Sequence, residues 1–197
     1  MGTAPGAALS RAQKSGDFRA AIEQLGERIG ALLATSPVAK GFFDGHPDDV
    51  GIAGSFSGAT TEKLPAYADL VLGIGASINF FTSEGGLLFP AAEVIRIDTK
   101  PFAPAIGFTP GTYVQGDAKA TALALVELLD ARKSRNEGFR TAATRAALAE
   151  TAPQAARATD GLDPRELMRV LSRALSAATV CELDQDDVVD PDIIFTC

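Results

Sequence analysis

The residues best placed for chemistry stand at the ends of short apolar runs. Gly73, Gly75 and Ser77 close one run, and the missing Cβ atoms of the glycines allow a phosphate or a neighbouring backbone to approach closely. Asp98 closes a second run. A carboxylate at this position can accept a hydrogen bond from a ribose hydroxyl, or it can cap the next turn. Asp117 opens a helical pattern, which suits an N-cap first and a ligand contact second. These five residues predict either a nucleotide site or a set of structural turns.

His46 invites a catalytic interpretation because Asp48 and Asp49 follow it closely. The chain holds a single histidine, and no serine or cysteine lies in a recognisable nucleophile elbow, so the sequence does not predict a catalytic triad. A structural role in a loop is the interpretation that we favour. The two cysteines, Cys181 and Cys197, form no CxxC pair, which favours buried or incidental thiols over a zinc or redox site.

Six acidic residues between positions 182 and 192 raise the question of a calcium loop. An EF-hand loop that began at Asp184 would place Val189 where glycine is required and Phe195 where the bidentate glutamate belongs. This mismatch excludes the motif, and a solvated acidic tail is predicted instead. No catalytic residue and no metal ligand is therefore predicted in this chain.

An alternation of strand-like and helical segments positions the candidate residues. The runs 70–74 and 94–97 are rich in β-branched residues and predict strands buried on both faces. A short buried strand is predicted over 31–35 and a further short strand over 112–115. Apolar residues at spacings of three and four predict one helix with Asp17 as its N-cap and another capped by Asp117. A shorter helix is predicted over 60–67, and a Gly-rich structured loop over 40–58. This alternation predicts an α/β fold with an open, doubly wound parallel sheet and flanking helices.

Composition and charge exclude several classes of protein. The formal net charge of −7 leaves no basic stripe to neutralise phosphates, so a nucleic-acid binder is not expected. No apolar run approaches the length of about 20 residues that crosses a bilayer, and the first residues lack the apolar segment of a signal peptide. We therefore expect a cytoplasmic protein with no membrane partner. Apolar residues make up 46% of the chain, which suffices for a hydrophobic core.

The sequence divides into four stretches. Residues 1–16 are small and polar and are expected to be mobile, whereas residues 17–135 carry the predicted α/β domain. Residues 136–160 are rich in alanine, threonine and arginine and predict a linker with an exposed helix over 139–150. Residues 161–197 begin with a capping box, DPRE, that predicts a helix; a strand and the acidic tail follow it.

Four segments carry a resemblance to a known family: ALLATSPVAKGFFDGHPDDVGIAGSFSG, ADLVLGIGASIN, AAEVIRIDTKP and YVQGDAKATALALVELL. Taken in order, they resemble the middle domain of the thiamine-diphosphate-dependent enzymes of the acetolactate synthase, benzoylformate decarboxylase and pyruvate decarboxylase group. The resemblance covers roughly residues 18–135. The later segment GLDPRELMRVLSRALSAATVCELD resembles the opening helix and strand of the family's third domain, which binds the diphosphate of the cofactor.

The N-terminal stretch departs from the family pattern. Family members open this domain with an apolar strand and a Gly-rich turn, whereas this chain has MGTAPGAALSRAQ, with no strand-like run. Because that strand lies inside the family's sheet, its two neighbours are expected to have unpaired backbone groups unless another segment fills the gap. The family's first domain, with its catalytic glutamate, and the GDG…N segment that holds Mg²⁺ and diphosphate also lack counterparts here, so the resemblance predicts a fragment.

The resemblance implies one leading hypothesis and two alternatives. The first is an incomplete enzyme, inactive as an isolated chain, whose full-length relatives decarboxylate or ligate 2-oxo acids with thiamine diphosphate and Mg²⁺. The second is a stand-alone module that binds FAD, ADP or NAD at the five residues named at the outset, since some family members bind FAD or ADP in this domain. The third is an interaction subunit, which either forms a homo-oligomer or binds a partner chain that supplies the missing domains.

Overall fold

The computed structural model describes residues 5–58, 63–104, 107–149, 170, 174 and 193–196. The chain forms two compact units. The first unit comprises Met1–Glu150 together with Val189–Cys197, and the second comprises Thr151–Val188. Within the second unit, the described residues Val170 and Ala174 are helical and exposed. The first unit is therefore built from two stretches of chain, and in the sequence the residues of the second unit come between these stretches.

The first unit alternates strands and helices over most of its length. Its strands are β1 (Leu32–Thr35), β2 (Asp49–Ile52), β3 (Leu70–Ile74), β4 (Glu93–Asp98), β5 (Thr112–Gln115) and β6 (Ile193–Thr196). Its α-helices are α1 (Pro5–Ile29), α2 (Phe80–Ser83), α3 (Ala118–Ala131) and α4 (Ala142–Ala149). Short 3₁₀ turns lie at Pro37–Ala39, Leu64–Tyr67 and Glu84–Gly86.

The strands form one sheet in the order β2-β1-β6-β3-β4-β5. The pairs β1–β2, β3–β4 and β4–β5 are parallel, and β6 alone among the described strands runs antiparallel to both of its neighbours. The predicted α/β fold, an open parallel sheet with flanking helices, is thus confirmed, with one antiparallel strand in its interior.

Successive side chains of β1, β3 and β4 point to opposite faces of the sheet and belong to two hydrophobic clusters. Leu33, Leu72 and Ile97 belong to one cluster, which α1 and α3 cover. Ala34 and Val71 belong to the other, together with residues from the loops that follow β2 and β3. Both faces of β1 are buried, as the continuous apolar run in the sequence predicts.

Helix α1 begins at Pro5, well before the predicted N-cap at Asp17. The prediction of an N-cap is wrong: Asp17 lies inside the helix, and its Oδ2 pairs with Lys119 Nζ on α3 at 3.1 Å. Residues 5–16 include many good helix formers, so the helix extends through a stretch in which Leu9 is the single large apolar residue. Arg28 and Asp130 form a second α1–α3 ion pair, at 2.7 Å.

Three other segments test the local predictions. Over 60–67, where a helix is predicted, residues 60–62 lie outside the described residues, Lys63 is α-helical, and Leu64–Tyr67 form a 3₁₀ turn. The predicted loop 40–58 contains β2, whose four residues are half-buried at the sheet edge. Within the predicted linker, α4 falls inside the exposed helix expected over 139–150.

Residues 193–196, predicted as part of a solvated tail, form β6 instead. The remaining acidic residues of that tail, the capping box and the strand predicted after it lie outside the described residues. Among the described helices, none is long and apolar enough to cross a membrane.

Candidate functional site

The carboxyl ends of β3, β4 and β5 meet at one edge of the sheet, and three of the predicted site residues lie there. The backbone N–H of Gly75 donates to the carbonyl of Ile97 at 2.8 Å, which joins the end of β3 to β4. The N–H of Gly116 donates to the carbonyl of Asp98 at 2.9 Å, which joins the end of β5 to β4 and places Asp117 beside them. We call this region the carboxyl edge.

Gly73 lies inside β3 and is required by packing. A Cβ atom at this position would lie 2.2 Å from Cδ1 of Ile78, a side chain that is fully buried. Ile78 itself has a φ of 40°, which is costly for a β-branched residue and shows that the surrounding contacts hold this turn in place. The glycine therefore makes room for the turn that follows β3.

Ser77 and Asn79 shape the rest of that turn. Ser77 Oγ accepts a hydrogen bond from Asn79 Nδ2 at 3.2 Å, and Asn79 Oδ1 in turn accepts the backbone N–H of Phe81 at 2.9 Å. Asn79 and Thr82 form a capping box at the start of α2. Sequence reasoning missed Asn79, although its spacing from Thr82 is a readable capping signal.

Asp98 is engaged with its own strand and the turn after it. Its Oδ2 pairs with Arg96 Nη2 at 2.6 Å, and its Oδ1 accepts the N–H of Lys100 at 3.1 Å. Burial alone would raise the pKa of Asp98, but the Lys100 N–H and the Arg96 guanidinium outweigh it and lower the pKa below 3.8. The Arg96 guanidinium also lies 5.7 Å from the ring centroid of Tyr113 on β5. The carboxylate is therefore ionised and already coordinated by protein donors.

Asp117 caps α3, as the sequence predicts. Its Oδ1 accepts the N–H of Ala120 at 2.8 Å, and its negative charge suits the positive end of the helix dipole. Asp117 also lines a cavity of about 330 Å³ between the start of α3 and residues Asp17 and Phe18 of α1. This cavity is small and is bordered by the Asp17–Lys119 ion pair.

The loops at the carboxyl edge carry large apolar side chains that are exposed to solvent. Val38 follows β1, Phe56 follows β2, Phe80 and Phe81 follow β3, and Phe102 follows β4, with exposed fractions of 47% to 65%. Such residues in Gly- and Pro-rich loops were not singled out from the sequence. Together they give this edge an apolar rim that can contact a ring or another protein surface.

Two buried hydroxyls lie at the end of β1, on the same edge. Thr35 and Ser36 are each at most 2% exposed, and their Oγ1 and Oγ atoms make no hydrogen bond with the described part of the chain. A buried hydroxyl without a partner is costly, so it marks a position where a water or ligand atom would be favourable.

A second cluster lies at the opposite edge, where β1 and β2 begin. Asp48 is 1% exposed, and Arg145 of α4 holds it through two hydrogen bonds, from Nε at 2.7 Å and from Nη2 at 3.0 Å. Arg140 Nη1 lies 3.2 Å from the same carboxylate, while Arg140 Nε donates to the carbonyl of Ala31. Through these contacts, the segment that follows α3 packs against the residues that directly precede β1 and β2.

His46 lies beside this cluster and lines a cavity of about 630 Å³ with Asp48, Arg140 and Arg145. Its Nδ1 accepts the backbone N–H of Asp48 at 3.1 Å. Burial and then the charge of Arg140 lower the pKa of His46 below 6.5, so the imidazole is neutral at pH 7. Three arginines and three acids line the cavity, which leaves it without a net charge to attract an anion or a cation.

A family model described as "Thiamine pyrophosphate enzyme, central domain" matches residues 10–125, more than half of the 197-residue chain. The chain belongs to this family. The match runs from α1 into α3 and includes the entire carboxyl edge. No curated protein and no solved structure matches the chain.

Membership in the thiamine pyrophosphate enzyme family raises the question of whether the described residues suit its cofactor. Thiamine diphosphate is bound through Mg²⁺, which takes oxygen ligands. Within the described ranges, no group of three or more His, Cys, Asp or Glu side chains could hold a metal ion. The described residues of this central domain therefore do not provide a site that fits the Mg²⁺ of the cofactor.

Proposed function

We propose that this chain is the central, non-catalytic domain of an acetolactate-synthase-like thiamine-diphosphate enzyme, and that it is inactive in isolation. The family match over residues 10–125 supports this assignment. The observation that carries it is the engagement of the candidate ligand residues: Gly73 accommodates Ile78, Asp98 pairs with Arg96, and Asp117 caps α3. Each of these residues serves the fold, as expected of a domain whose role is architectural.

Calorimetric titration tests this proposal directly. The purified chain is titrated with thiamine diphosphate in the presence of Mg²⁺, and pyruvate consumption is measured in the same buffer. We expect no heat of binding and no turnover. A complete thiamine-diphosphate enzyme, treated identically, provides the positive control. Micromolar binding of the cofactor by this chain would overturn the proposal.

A nucleotide-binding module is the second candidate, and the two buried hydroxyls of Thr35 and Ser36 favour it. They lie at the carboxyl end of β1, where open α/β sheets bind ligands, and the exposed aromatic rings of Phe56 and Phe81 offer stacking surfaces for a base or flavin nearby. The ligand classes that suit this chemistry are FAD, ADP and NAD.

Thermal unfolding with each nucleotide distinguishes this candidate from the first. A ligand at 100 times its Kd stabilises the folded chain by about 2.7 kcal/mol, which raises the melting temperature measurably. Thr35→Val keeps the side-chain shape but removes the hydroxyl, so it should weaken the effect. Thr112→Val, on the exposed end of β5, is the matched control. Equal melting temperatures with and without all three nucleotides would exclude this candidate.

A further inference from the structure

Strand β6 is the element that joins the two halves of the sheet. It pairs antiparallel with β1 from Leu32↔Thr196 to Thr35↔Ile193, and antiparallel with β3 from Val71↔Thr196 to Ile74↔Ile193. All other strand pairs among the described residues are parallel. Without β6 the sheet would consist of a β2–β1 half and a β3–β4–β5 half with a gap one strand wide between them.

The walls of this gap are buried strands. All four residues of β1 are at most 1% exposed, and Val71 and Ile74 of β3 are fully buried. The two hydrophobic clusters cover the sheet on both faces, so backbone N–H and C=O groups that face an empty gap would lack both water and protein partners. The gap therefore has a strong requirement for an extended strand.

Recognition in such a gap depends mainly on the backbone. Both neighbours of β6 contribute a full four-residue antiparallel register, so an occupant forms ladder hydrogen bonds on its two sides at once. Proteins that bind a peptide by strand addition pair it with one strand at a sheet edge. Here the occupant pairs with a strand on each side, β1 and β3. Ile-Ile-Phe-Thr is rich in β-branched and aromatic residues, which suits this conformation.

The connection to β6 is long. Helix α4 ends at Ala149, and β6 begins at Ile193, so residues 150–192 separate the two elements. The second compact unit, Thr151–Val188, is part of this connection, while Val189–Cys197 belongs to the first unit. A long connection allows the same strand to occupy the gap of its own chain or that of a neighbouring chain with identical contacts.

We propose that the gap between β1 and β3 is a strand-binding slot, and that residues 193–196 of a second copy of this chain occupy it to form a strand-exchanged dimer. The antiparallel direction of β6, its place between two buried strands and its long connection carry this proposal. The interaction surface is the paired edges of β1 and β3, and the partner is an identical chain.

Disulfide trapping between two singly substituted chains tests the proposal, in a background with Cys181→Ser and Cys197→Ser. Ala34 and Ile194 are directly opposed across β1 and β6. Opposed residues of antiparallel strands lie about 4.5–5.5 Å apart at Cα, which suits a disulfide. An Ala34→Cys chain is mixed with an Ile194→Cys chain, refolded together at high protein concentration and oxidised. We expect a covalent heterodimer on a non-reducing gel, with its yield rising with concentration.

The matched control is a pair of cysteines that is one residue out of register. Leu33→Cys mixed with Ile194→Cys places the two thiols on opposite faces of the sheet, so we expect at least a tenfold lower heterodimer yield. Thr35→Cys mixed with Ile193→Cys is a second directly opposed pair and replaces the first if Ala34→Cys does not fold. Equal yields from the opposed and control pairs would overturn the proposal, because they would indicate random collision.

A chain that carries both Ala34→Cys and Ile194→Cys distinguishes strand exchange between two chains from pairing of β6 within one chain. If this doubly substituted chain forms only an intramolecular disulfide and the mixed single variants form none, the slot accepts only its own strand and the proposal is wrong. Absence of any disulfide in all samples would show that β6 does not occupy the slot, which also overturns it.

A synthetic peptide of residues 189–197, with serine in place of Cys197, probes the slot independently. Added in excess during joint refolding of the Ala34→Cys and Ile194→Cys chains, it should lower the heterodimer yield several-fold. The same peptide with Ile194→Pro lacks one backbone donor and should leave the yield unchanged. Equal effects of the two peptides would contradict strand addition in the slot.

Discussion

At the scale of single residues, Asp48 is a buried carboxylate that pairs with two arginines, Arg140 and Arg145. Burial favours the neutral form of its carboxyl group, but the hydrogen bond from Arg145 and the charges of Arg140 and Arg145 lower the pKa of Asp48 below 3.8. A carboxyl group whose pKa is lower in the folded state contributes stability that is complete above the unfolded-state pKa. That contribution is lost as the pH falls through the folded-state pKa.

We predict that Asp48→Asn lowers the free energy of unfolding at pH 7 by about 3 kcal/mol, since it removes the buried negative charge that Arg140 and Arg145 share. As the pH falls below 3.8 and through the lower folded-state pKa of Asp48, the wild-type chain should lose stability toward the level of the variant, because its own Asp48 becomes protonated. Urea unfolding at several pH values measures both effects.

Asp49→Asn is the matched control for this prediction. Burial raises the pKa of Asp49, and its Oδ1 accepts the N–H of Gly51, a role that asparagine can also fill. We expect a change within about 0.5 kcal/mol. Equal losses of stability in the two variants would contradict the special role of Asp48.

Gly73 offers a second prediction at this scale. Gly73→Ala should lower the free energy of unfolding by about 1–3 kcal/mol, because its Cβ would overlap the buried Ile78 side chain. Ile78→Ala removes the overlapping atoms, so the double variant should be more stable than the sum of the single effects predicts. A double-mutant cycle by urea unfolding measures this coupling. Simple additivity would show that Gly73 is not required by this contact.

Local residues were predictable from the sequence, and distant partners were not. The cap formed by Asp117 and the turn after Gly75 depend on neighbours within a few positions, so their residue types indicate them. Asp48 and Arg145 are 97 residues apart, and no periodicity links them. The sequence shows Asp48 beside His46 but not the arginines that neutralise it.

At the scale of elements, the start of α3 depends on the Asp117 cap. Asp117→Ala should lower the free energy of unfolding by about 1 kcal/mol because the N–H of Ala120 loses its acceptor. Asp117→Ser retains an acceptor oxygen at this position and should recover most of the loss. Thermal unfolding monitored by circular dichroism measures the difference. Equal melting temperatures for the two variants would contradict the capping role.

Strands that appear as short runs between turn residues were predicted closely: the buried β3 and the mostly exposed edge strand β5 both have the predicted bounds. Strand β2 was missed because its four residues include a glycine and lie in a Gly-rich stretch. Strand β6 was missed because the acids that precede it dominate its surroundings in the sequence. Long-range pairing, rather than local preference, determines both of these strands.

At the scale of the whole molecule, the continuity of the sheet depends on β6. We predict that Ile194→Pro lowers the free energy of unfolding by at least about 2 kcal/mol, since proline removes an N–H from a strand paired on both sides. Urea unfolding, with the midpoint and slope compared to the wild-type chain, measures the effect.

Gln115→Pro, in the edge strand β5, is the control for this prediction. The N–H of Gly116 points toward β4, so the N–H of the preceding residue points away from the sheet. Proline there removes no ladder hydrogen bond and should cost less than half as much as Ile194→Pro. A larger loss at the edge than in the interior would contradict the central place of β6.

The resemblance predicted a gap between two strands, but not the segment that fills it. A missing interior strand leaves buried backbone groups, which is a physical reason to expect a replacement. Nothing in local composition identifies residues 193–196 as that replacement, because the choice depends on the path of residues 150–192. Fold class was therefore accessible from the sequence, whereas the complete strand order was not.

The position of β6 has a consequence for synthesis on the ribosome. β5 ends at Gln115 and β6 ends at Thr196, so 81 residues must be translated after the parallel strands before the sheet can close. At about 5–20 residues per second, this takes roughly 4–16 s. Throughout that interval the nascent chain presents two open strand edges, the kind of surface on which aggregation begins. The folded yield in cells should therefore depend on translation speed and chaperone supply.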